Sequence, residues 1–424
     1  MSDTLQKKFT IVALGCRTNQ YETQAFKDQL VGMGYSEAQE GEAADLCIVN
    51  TCTVTESADS SSRHEIRQLA RKHPSAKIAV TGCYAERNPA AVQAIEGVTH
   101  VVSNKDKEQL LQILYPEQEI PEFSITRFEA HTRAFVKVQD GCNSFCTYCI
   151  IPYVRGRSRS RSLPEIISEV ESLRDNGYKE VVITGINVGD FDGNPEEGQA
   201  PARLAELIRA VDAVDGIERV RVSSIDPDEI DEELAEAILK GRKTCPSMHI
   251  VLQSGSNVIL KRMNRKYTRQ IFLETVHKLR AADPDFTFTT DVIVGFPGET
   301  EADFQETLDV MAEVRFAKVH MFPYSERPRT RAALYPNKVP PETIKERKQR
   351  VLRASEQYSF ELRAQYAGRQ MEILTESYSP ELGSSGHTAN FLEVLLPDVQ
   401  LEANQLLKVK LIENTPKGLV GKLL

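Results

Sequence analysis

Residues 140–153 read DGCNSFCTYCIIPY, and the spacing of the three thiols in this stretch decides the class of fold around it. Cys142, Cys146 and Cys149 form a C-x3-C-x2-C triplet just after a short apolar run. Soft thiolates select iron–sulfur, zinc or copper(I). Structural zinc takes four protein ligands in nearby pairs. No Cys or His completes such a set beside the triplet, and the next histidine downstream is His249. Three corners of an iron–sulfur cube fit the spacing better than a zinc knuckle. A cube held by three thiolates keeps one iron open to a small molecule.

Upstream, FTIVALG, DLCIVNT, KIAVTG and THVVS are short apolar runs separated by stretches of helical composition at 22–32, 59–72, 89–95 and 105–114. Such alternation predicts a doubly wound parallel sheet. The first three strands each end at a cysteine: Cys16, Cys52 and Cys83. Ligands of such sheets sit beyond the carboxyl ends of the strands. Three thiols at three strand ends are therefore expected on one edge, as a second three-thiolate site. The competing reading is three unrelated loop cysteines. Asn19 and Asn50 flank the thiols, as ligand-orienting or turn residues.

Downstream, RAFVKVQ, EVVITG, RVRVSS, MHIVLQ, FTFTTDVIVG and AKVHMFPY read as six strands with helical stretches between them, which suggests a partial (β/α)6 barrel. Functional groups then belong at the C-terminal strand ends, where Gly185–Asn187, Ser223–Ser224, Gln253–Ser254 and Gly295–Gly298 fall. Thr300 and Asp303 read as a capping box opening a helix. Residues 361–424 change character: MEILTESY, TANFLEVLLP, QLLKVKLIEN and GLVGKLL predict a small all-β barrel. The expected organisation is α/β, with segments 8–118, 133–360 and 361–424 and a polar connection over 116–132.

The 424 residues suffice for two or three domains. A net charge of −9 argues against a generic nucleic-acid binder. Locally, though, Arg155, Arg157, Arg159 and Arg161 follow the triplet, and two further basic runs stand at 261–269 and 326–331. Phosphate contacts supply most nucleic-acid affinity, so the arginine run is a candidate RNA contact. The N-terminal stretch lacks signal-peptide architecture and no segment has the length of a membrane span, so a cytoplasmic protein is expected. Eight cysteines in such a chain suit metal or redox roles better than disulfides. Cys47 reads as core, and Cys245 as part of a loop.

With the aromatic Tyr148 before its last cysteine, the triplet resembles the signature of radical S-adenosylmethionine (SAM) enzymes. The continuation IIPYVRGRSRSR (150–161) and the upstream GCRTNQYET (15–23), NTCTVTESAD (50–59) and TGCYAE (81–86) narrow the resemblance to the methylthiotransferases. Within these it points to the branch acting on N6-threonylcarbamoyladenosine of tRNA. The resemblance implies two [4Fe–4S] clusters, on Cys142, Cys146 and Cys149 and on Cys16, Cys52 and Cys83. It implies SAM as cofactor, cleaved by one electron to methionine and a 5′-deoxyadenosyl radical, and a net change from C–H to C–S–CH3. It also implies SAM contacts by Tyr148, Gly185, Asn187, Ser223, Ser224, Gln253 and Arg265, the last suited to the SAM carboxylate. The C-terminal barrel resembles the RNA-binding TRAM domain. Implied partners are tRNA, an electron donor such as flavodoxin or ferredoxin, and a sulfur source. Competing readings keep the chemistry but change the substrate to isopentenyl-adenosine tRNA or a ribosomal-protein aspartate. A more distant one is a non-catalytic zinc- and RNA-binding protein.

Overall fold

The computed structural model describes residues 6–127 and 132–424. Of the connection expected over 116–132, positions 128–131 lie outside the described residues. The described chain divides into two compact units: one through residue 127 with Gln139–Arg159 and Ser325–Ala333, the other from residue 132 to Val138 with Ser160–Tyr324 and Leu334–Leu424. Among the described residues no helix is long and apolar enough to cross a membrane.

The first unit is built on five parallel strands: β1 (Lys8–Ala13), β2 (Ser36–Glu37), β3 (Leu46–Thr51), β4 (Lys77–Gly82) and β5 (Val98–Val101), in the order β2-β1-β3-β4-β5. Every residue of β3 is buried, as expected of a strand covered on both faces. Its side chains alternate between them. Leu46 and Ile48 pack with Phe26, Leu30 and Leu110. Cys47 and Val49 pack with Ile66 and Leu69 on the other face, which makes Cys47 the core residue expected of it. Helix α1 (Arg17–Gly32) begins five residues before the stretch read from the sequence. Its first turns bury Thr18, Asn19 and Glu22, and buried polar residues carry no hydrophobic period.

The second unit holds six parallel strands in strict sequential order: β6 (Arg133–Lys137), β7 (Glu180–Thr184), β8 (Arg219–Ile225), β9 (Thr244–Ile250), β10 (Thr287–Val294) and β11 (Lys318–Pro323). This is the expected half-barrel. Cys245 is no loop residue, since it is buried inside β9. Pro246 hides the strand from a sequence reading because it cannot donate to a ladder. The register shifts between Val220 and Val222, whose partners are Thr244 and Met248, and this bulge accommodates the proline.

The same unit contains a closed five-stranded barrel formed by residues 370–379, 383–388, 393–396, 406–415 and 418–423. Sequence reading misses the strand Gly383–Thr388 (GSSGHT), which has no apolar alternation. Close backbone packing demands small residues there: a Cβ at Gly386 would lie 2.2 Å from the Leu374 carbonyl oxygen. Arg219 donates to the His387 carbonyl at 2.9 Å and Arg221 to the Ala389 carbonyl at 2.7 Å, so buried guanidinium groups of β8 fasten the barrel to the half-barrel. Thr300 and Asp303 form the expected capping box at the head of the helix Glu301–Val314.

Candidate active site

Cys16, Cys52 and Cys83 follow β1, β3 and β4, three neighbouring parallel strands, at their carboxyl ends. Cys16 is the N-cap of α1 and Cys83 opens the short helix Cys83–Arg87. Helix N-termini favour thiolates. Two glycines let the chain turn this tightly. A Cβ at Gly15 would fall 2.7 Å from the Cys52 sulfur, and one at Gly82 would fall 2.4 Å from the Thr51 carbonyl oxygen. Both have positive φ, +91° and +95°.

Around the thiols, Asn19 is an organising residue rather than a simple turn former. Its Nδ2 donates to the carbonyls of Leu14 (2.6 Å) and Thr51 (3.1 Å), tying the ends of β1 and β3, and its Oδ1 accepts from the Cys16 thiol at 3.8 Å. Asn104 donates to the Cys83 sulfur at 3.8 Å. Burial pushes the Cys52 thiol up to about 12, with Cys83 and Cys16 adding to the rise, and burial raises Cys83 too. Ionisation of these thiols needs a compensating positive charge, which a metal centre supplies. Among the described residues, no three Cys, His, Asp or Glu side chains converge as on a single metal ion. The three thiols share one sheet edge, Cys16 exposed and Cys52 and Cys83 buried, and do not form a closed cage. That donor set suits a cube with an open corner.

The Cys142–Cys149 loop belongs to this same unit. Gly141 starts it with φ +71°, where a Cβ would lie 2.0 Å from the Arg157 carbonyl oxygen. The Cys142 amide donates to Gly156 O at 3.2 Å, closing the loop, and the Ser144 amide donates to the Cys142 sulfur at 3.4 Å. Amide donation to sulfur stabilises its thiolate form, so this loop also fits a cluster. Tyr148 is half-buried within it. Behind the loop, Ile150 and Val154 pack directly on Cys83. The two thiol trios therefore adjoin within one packed unit.

The remaining residues expected at SAM lie in the second unit. Gly185 follows β7, Ser223 and Ser224 lie near the carboxyl end of β8, and Gln253 follows β9. Ser223 Oγ and Gln253 Oε1 are buried with no hydrogen-bond partner among the described residues. Gln253 is held at φ +59° by backbone bonds to Asp291 and Ile293. Buried polar atoms without partners are costly, and a water or a ligand group would satisfy these two. Asn187 donates to Glu229 at 2.9 Å. Arg265 is ion-paired with Asp226, so a SAM carboxylate at Arg265 would share its guanidinium with that residue.

Burial, with Asp226 as the nearest like charge, lifts the Glu229 carboxyl from its ordinary 4.5 to about 7. The folded value lies above the unfolded one. Its contribution to stability is therefore fully present below about 4.5 and is lost as pH rises through about 7. Relative to Glu229→Gln, the parent chain is expected to lose stability across that window. Denaturation midpoints of the two proteins that stay parallel from acid to neutral pH would contradict this.

Among the arginines the structure corrects one expectation outright. The Arg155 side chain is 1% exposed and is ion-paired with Glu22 at 3.0 Å and Asp140 at 2.8 Å, so it has no face to offer a phosphate. Arg161 is tied to Glu169 at 3.2 Å and to the Lys137 carbonyl. Arg157 is exposed over the Phe145 ring, and Arg159 pairs with Asp140 while remaining half-exposed. Sequence reasoning did not single out Glu22, Asp140, Asn104 or Lys107. Nothing marks a polar residue as buried until its partners, here 15 to 133 positions away, are known.

Comparison with known proteins gives this geometry its context. Residues 136–311 match the radical SAM superfamily, and residues 8–103 match an uncharacterized protein family, UPF0004. The fold resembles that of the radical SAM methyltransferase TsrM from Kitasatospora setae, with a TM-score of 0.54 at 14% identity over 75% of each chain. It also resembles the cobalamin-dependent SAM radical enzyme OxsB, with a TM-score of 0.50 at 13% identity over 82% of this chain and 56% of that one. Half-barrel and triplet are thus those of the radical SAM class. Along its length the chain is 49% identical to the threonylcarbamoyladenosine tRNA methylthiotransferase MtaB of Chlamydia pneumoniae, covering 98% of both proteins. It is 38% identical to the protein of that name in Bacillus subtilis, over 94% of this chain and 92% of the relative. It is 35% identical to a tRNA-2-methylthio-N(6)-dimethylallyladenosine synthase of Carboxydothermus hydrogenoformans, over 99% of each. The chain belongs to the radical SAM tRNA methylthiotransferase family.

Proposed function

We propose that this enzyme installs a methylthio group at C2 of N6-threonylcarbamoyladenosine beside the anticodon of tRNA, using two [4Fe–4S] clusters and SAM. The observation that supports the reading is that Ile150 and Val154, just beyond the triplet, pack on Cys83 of the N-terminal trio within one unit. Cys142, Cys146 and Cys149 would hold one cluster, and Cys16, Cys52 and Cys83 the other. A cluster on the first trio would provide one-electron chemistry toward SAM, and one on the second trio would provide a place for the sulfur to be transferred. Ser223 and Gln253 offer their buried polar atoms to SAM, with Gly185, Asn187 and Ser224 beside them along the strand ends. Tyr148 offers its ring face to the adenine. Arg157 and Arg159, the exposed members of the arginine run, are left to meet RNA phosphates.

Segments 8–118, 133–360 and 361–424 then divide the work among sulfur delivery, radical generation and RNA holding. An electron donor such as flavodoxin or ferredoxin, a sulfur source and a cytoplasmic setting complete the reading. The threonylcarbamoyl substrate is favoured over isopentenyl-adenosine because a relative named for threonylcarbamoyladenosine is 49% identical, whereas relatives named for dimethylallyladenosine are 34% to 38% identical. Deleting the gene should remove the methylthio group from threonylcarbamoyladenosine alone in the tRNA nucleoside mass spectrum. Loss from the isopentenyl nucleoside would reassign the substrate, and an unchanged tRNA profile would point to the ribosomal protein.

A further inference from the structure

Arg155 is fully buried in the first unit, and it joins the two trios by short steps. One end of its guanidinium bonds Asp140 Oδ1 at 2.8 Å, which also accepts from the Gly141 amide at 2.7 Å, next to Cys142. The other end bonds Asn19 Oδ1, and the Nδ2 of the same amide holds the Leu14 and Thr51 carbonyls that lead into Cys16 and Cys52. Glu22, one turn beyond Asn19 on α1, completes the pairing at 3.0 Å. Two further cations join this group: Lys107 on Glu22 at 2.7 Å and Arg159 on Asp140 at 2.8 Å. Among the described residues, three cations thus meet two carboxylates, and the surplus positive charge lies beside thiols that must become anionic. Burying a guanidinium is costly unless every partner is in place.

We propose that Arg155 is a positioning residue that links the two cluster sites, holding the turns into Cys16 and Cys52 through Asn19 and Cys142 through Asp140 while its charge stabilises electron density at the N-terminal trio. The inference rests on the two-cluster proposal. Asp140 and Glu22 fix the guanidinium against Asn19, whose amide spans the ends of β1 and β3 beside Cys16 and Cys52, so its charge lies next to the N-terminal trio. Net charge and hydrogen bonding near a cluster set its potential.

The test is redox titration, followed by electron paramagnetic resonance, of the full-length chain. A Cys142→Ala, Cys146→Ala, Cys149→Ala background isolates the N-terminal cluster. Arg155→Gln should fold, because Glu22 keeps Lys107 and Asp140 keeps Arg159, and a thermal melt verifies it. In Arg155→Gln the midpoint should shift to a more negative potential, since removing a positive charge disfavours adding an electron. Arg155→Lys should return most of that shift while leaving the altered resonance line shape, because a single ammonium cannot span Asn19 and Asp140 together. An iron-filled N-terminal trio whose midpoint is the same with Arg and Gln overturns the inference and spares the two-cluster reading. A parent chain holding no iron on Cys16, Cys52 and Cys83 overturns both. If Arg155→Gln unfolds, Arg155→Lys decides alone: an unchanged line shape overturns the link.

Discussion

A chain carrying Cys16→Ala, Cys52→Ala and Cys83→Ala is expected to cleave SAM reductively within a few-fold of the parent rate and to deliver no methylthio group to tRNA. The three thiols end three strands of the N-terminal sheet, whereas the Cys142–Cys149 loop is closed by its own backbone bonds, Cys142 N to Gly156 O and Cys149 N to Cys146 O at 3.0 Å. Removing one trio should leave the other loop standing. Cys83 packs against the residues after Cys149, and an alanine there leaves a gap of one sulfur atom. Iron in anaerobically prepared protein should fall from roughly eight atoms per chain to roughly four, as one of two cubes is lost. Methionine and 5′-deoxyadenosine are counted beside the modified nucleoside. Methylthiolation that survives the triple change would remove Cys16, Cys52 and Cys83 from the mechanism, and loss of both products would show that the trios cannot be separated.

The second large effect belongs to Asp59, near the head of helix Glu56–Lys72. It is 3% exposed, and its Oδ2 accepts from Arg87 at 2.8 Å and from Arg327 at 2.7 Å, while its Oδ1 accepts from Thr53, the neighbour of Cys52. Arg327 is equally buried and comes from the Ser325–Ala333 segment, which the ion pair ties into the first unit. Asp59→Ala strands a buried guanidinium, and breaking such a pair from one side costs about 3–5 kcal/mol. Calorimetry should register a lower unfolding temperature, and Cys52 should react faster with a thiol reagent once Thr53 is released. Asp59→Ala with Arg327→Met should lose less than the two single changes added together, since the pair is coupled. Additive losses, or a melt identical to the parent's, would mean that the pair holds nothing.

Much of the site was legible because its chemistry is local. C-x3-C-x2-C presents three thiols from one short loop. The second trio was legible for a topological reason: parallel strands return to the same edge, so Cys16, Cys52 and Cys83 had to share it once the strand–helix alternation was recognised. Less of the surroundings could be read. In sequence, Arg155 looks like part of a basic surface run because four arginines alternate there. Only its partners, Glu22 and Asp140, turn it inward. GSSGHT looks like a turn because its burial depends on close backbone contact rather than on apolar side chains. Cys245 looks like a loop residue because Pro246 reads as a break, and a bulge absorbs it.

Composition, periodicity and spacing thus determined the classes of element and the two sets of candidate sulfur ligands, and the resemblance of the cysteine motifs pointed to the family. They sufficed because each depends on neighbours within a few positions or on a rule of chain direction. Tertiary structure alone decided that the triplet loop folds with the N-terminal sheet rather than with the half-barrel whose strands flank it in sequence. It also decided that the C-terminal barrel shares a unit with the half-barrel. Both outcomes depend on buried ion pairs and carbonyl contacts between residues scores to hundreds of positions apart: Arg155 with Glu22, Arg327 with Asp59, Arg219 with the His387 carbonyl. The free energy of burying a charge is set by whether a partner arrives, and for these three contacts no short stretch of the sequence contains both partners.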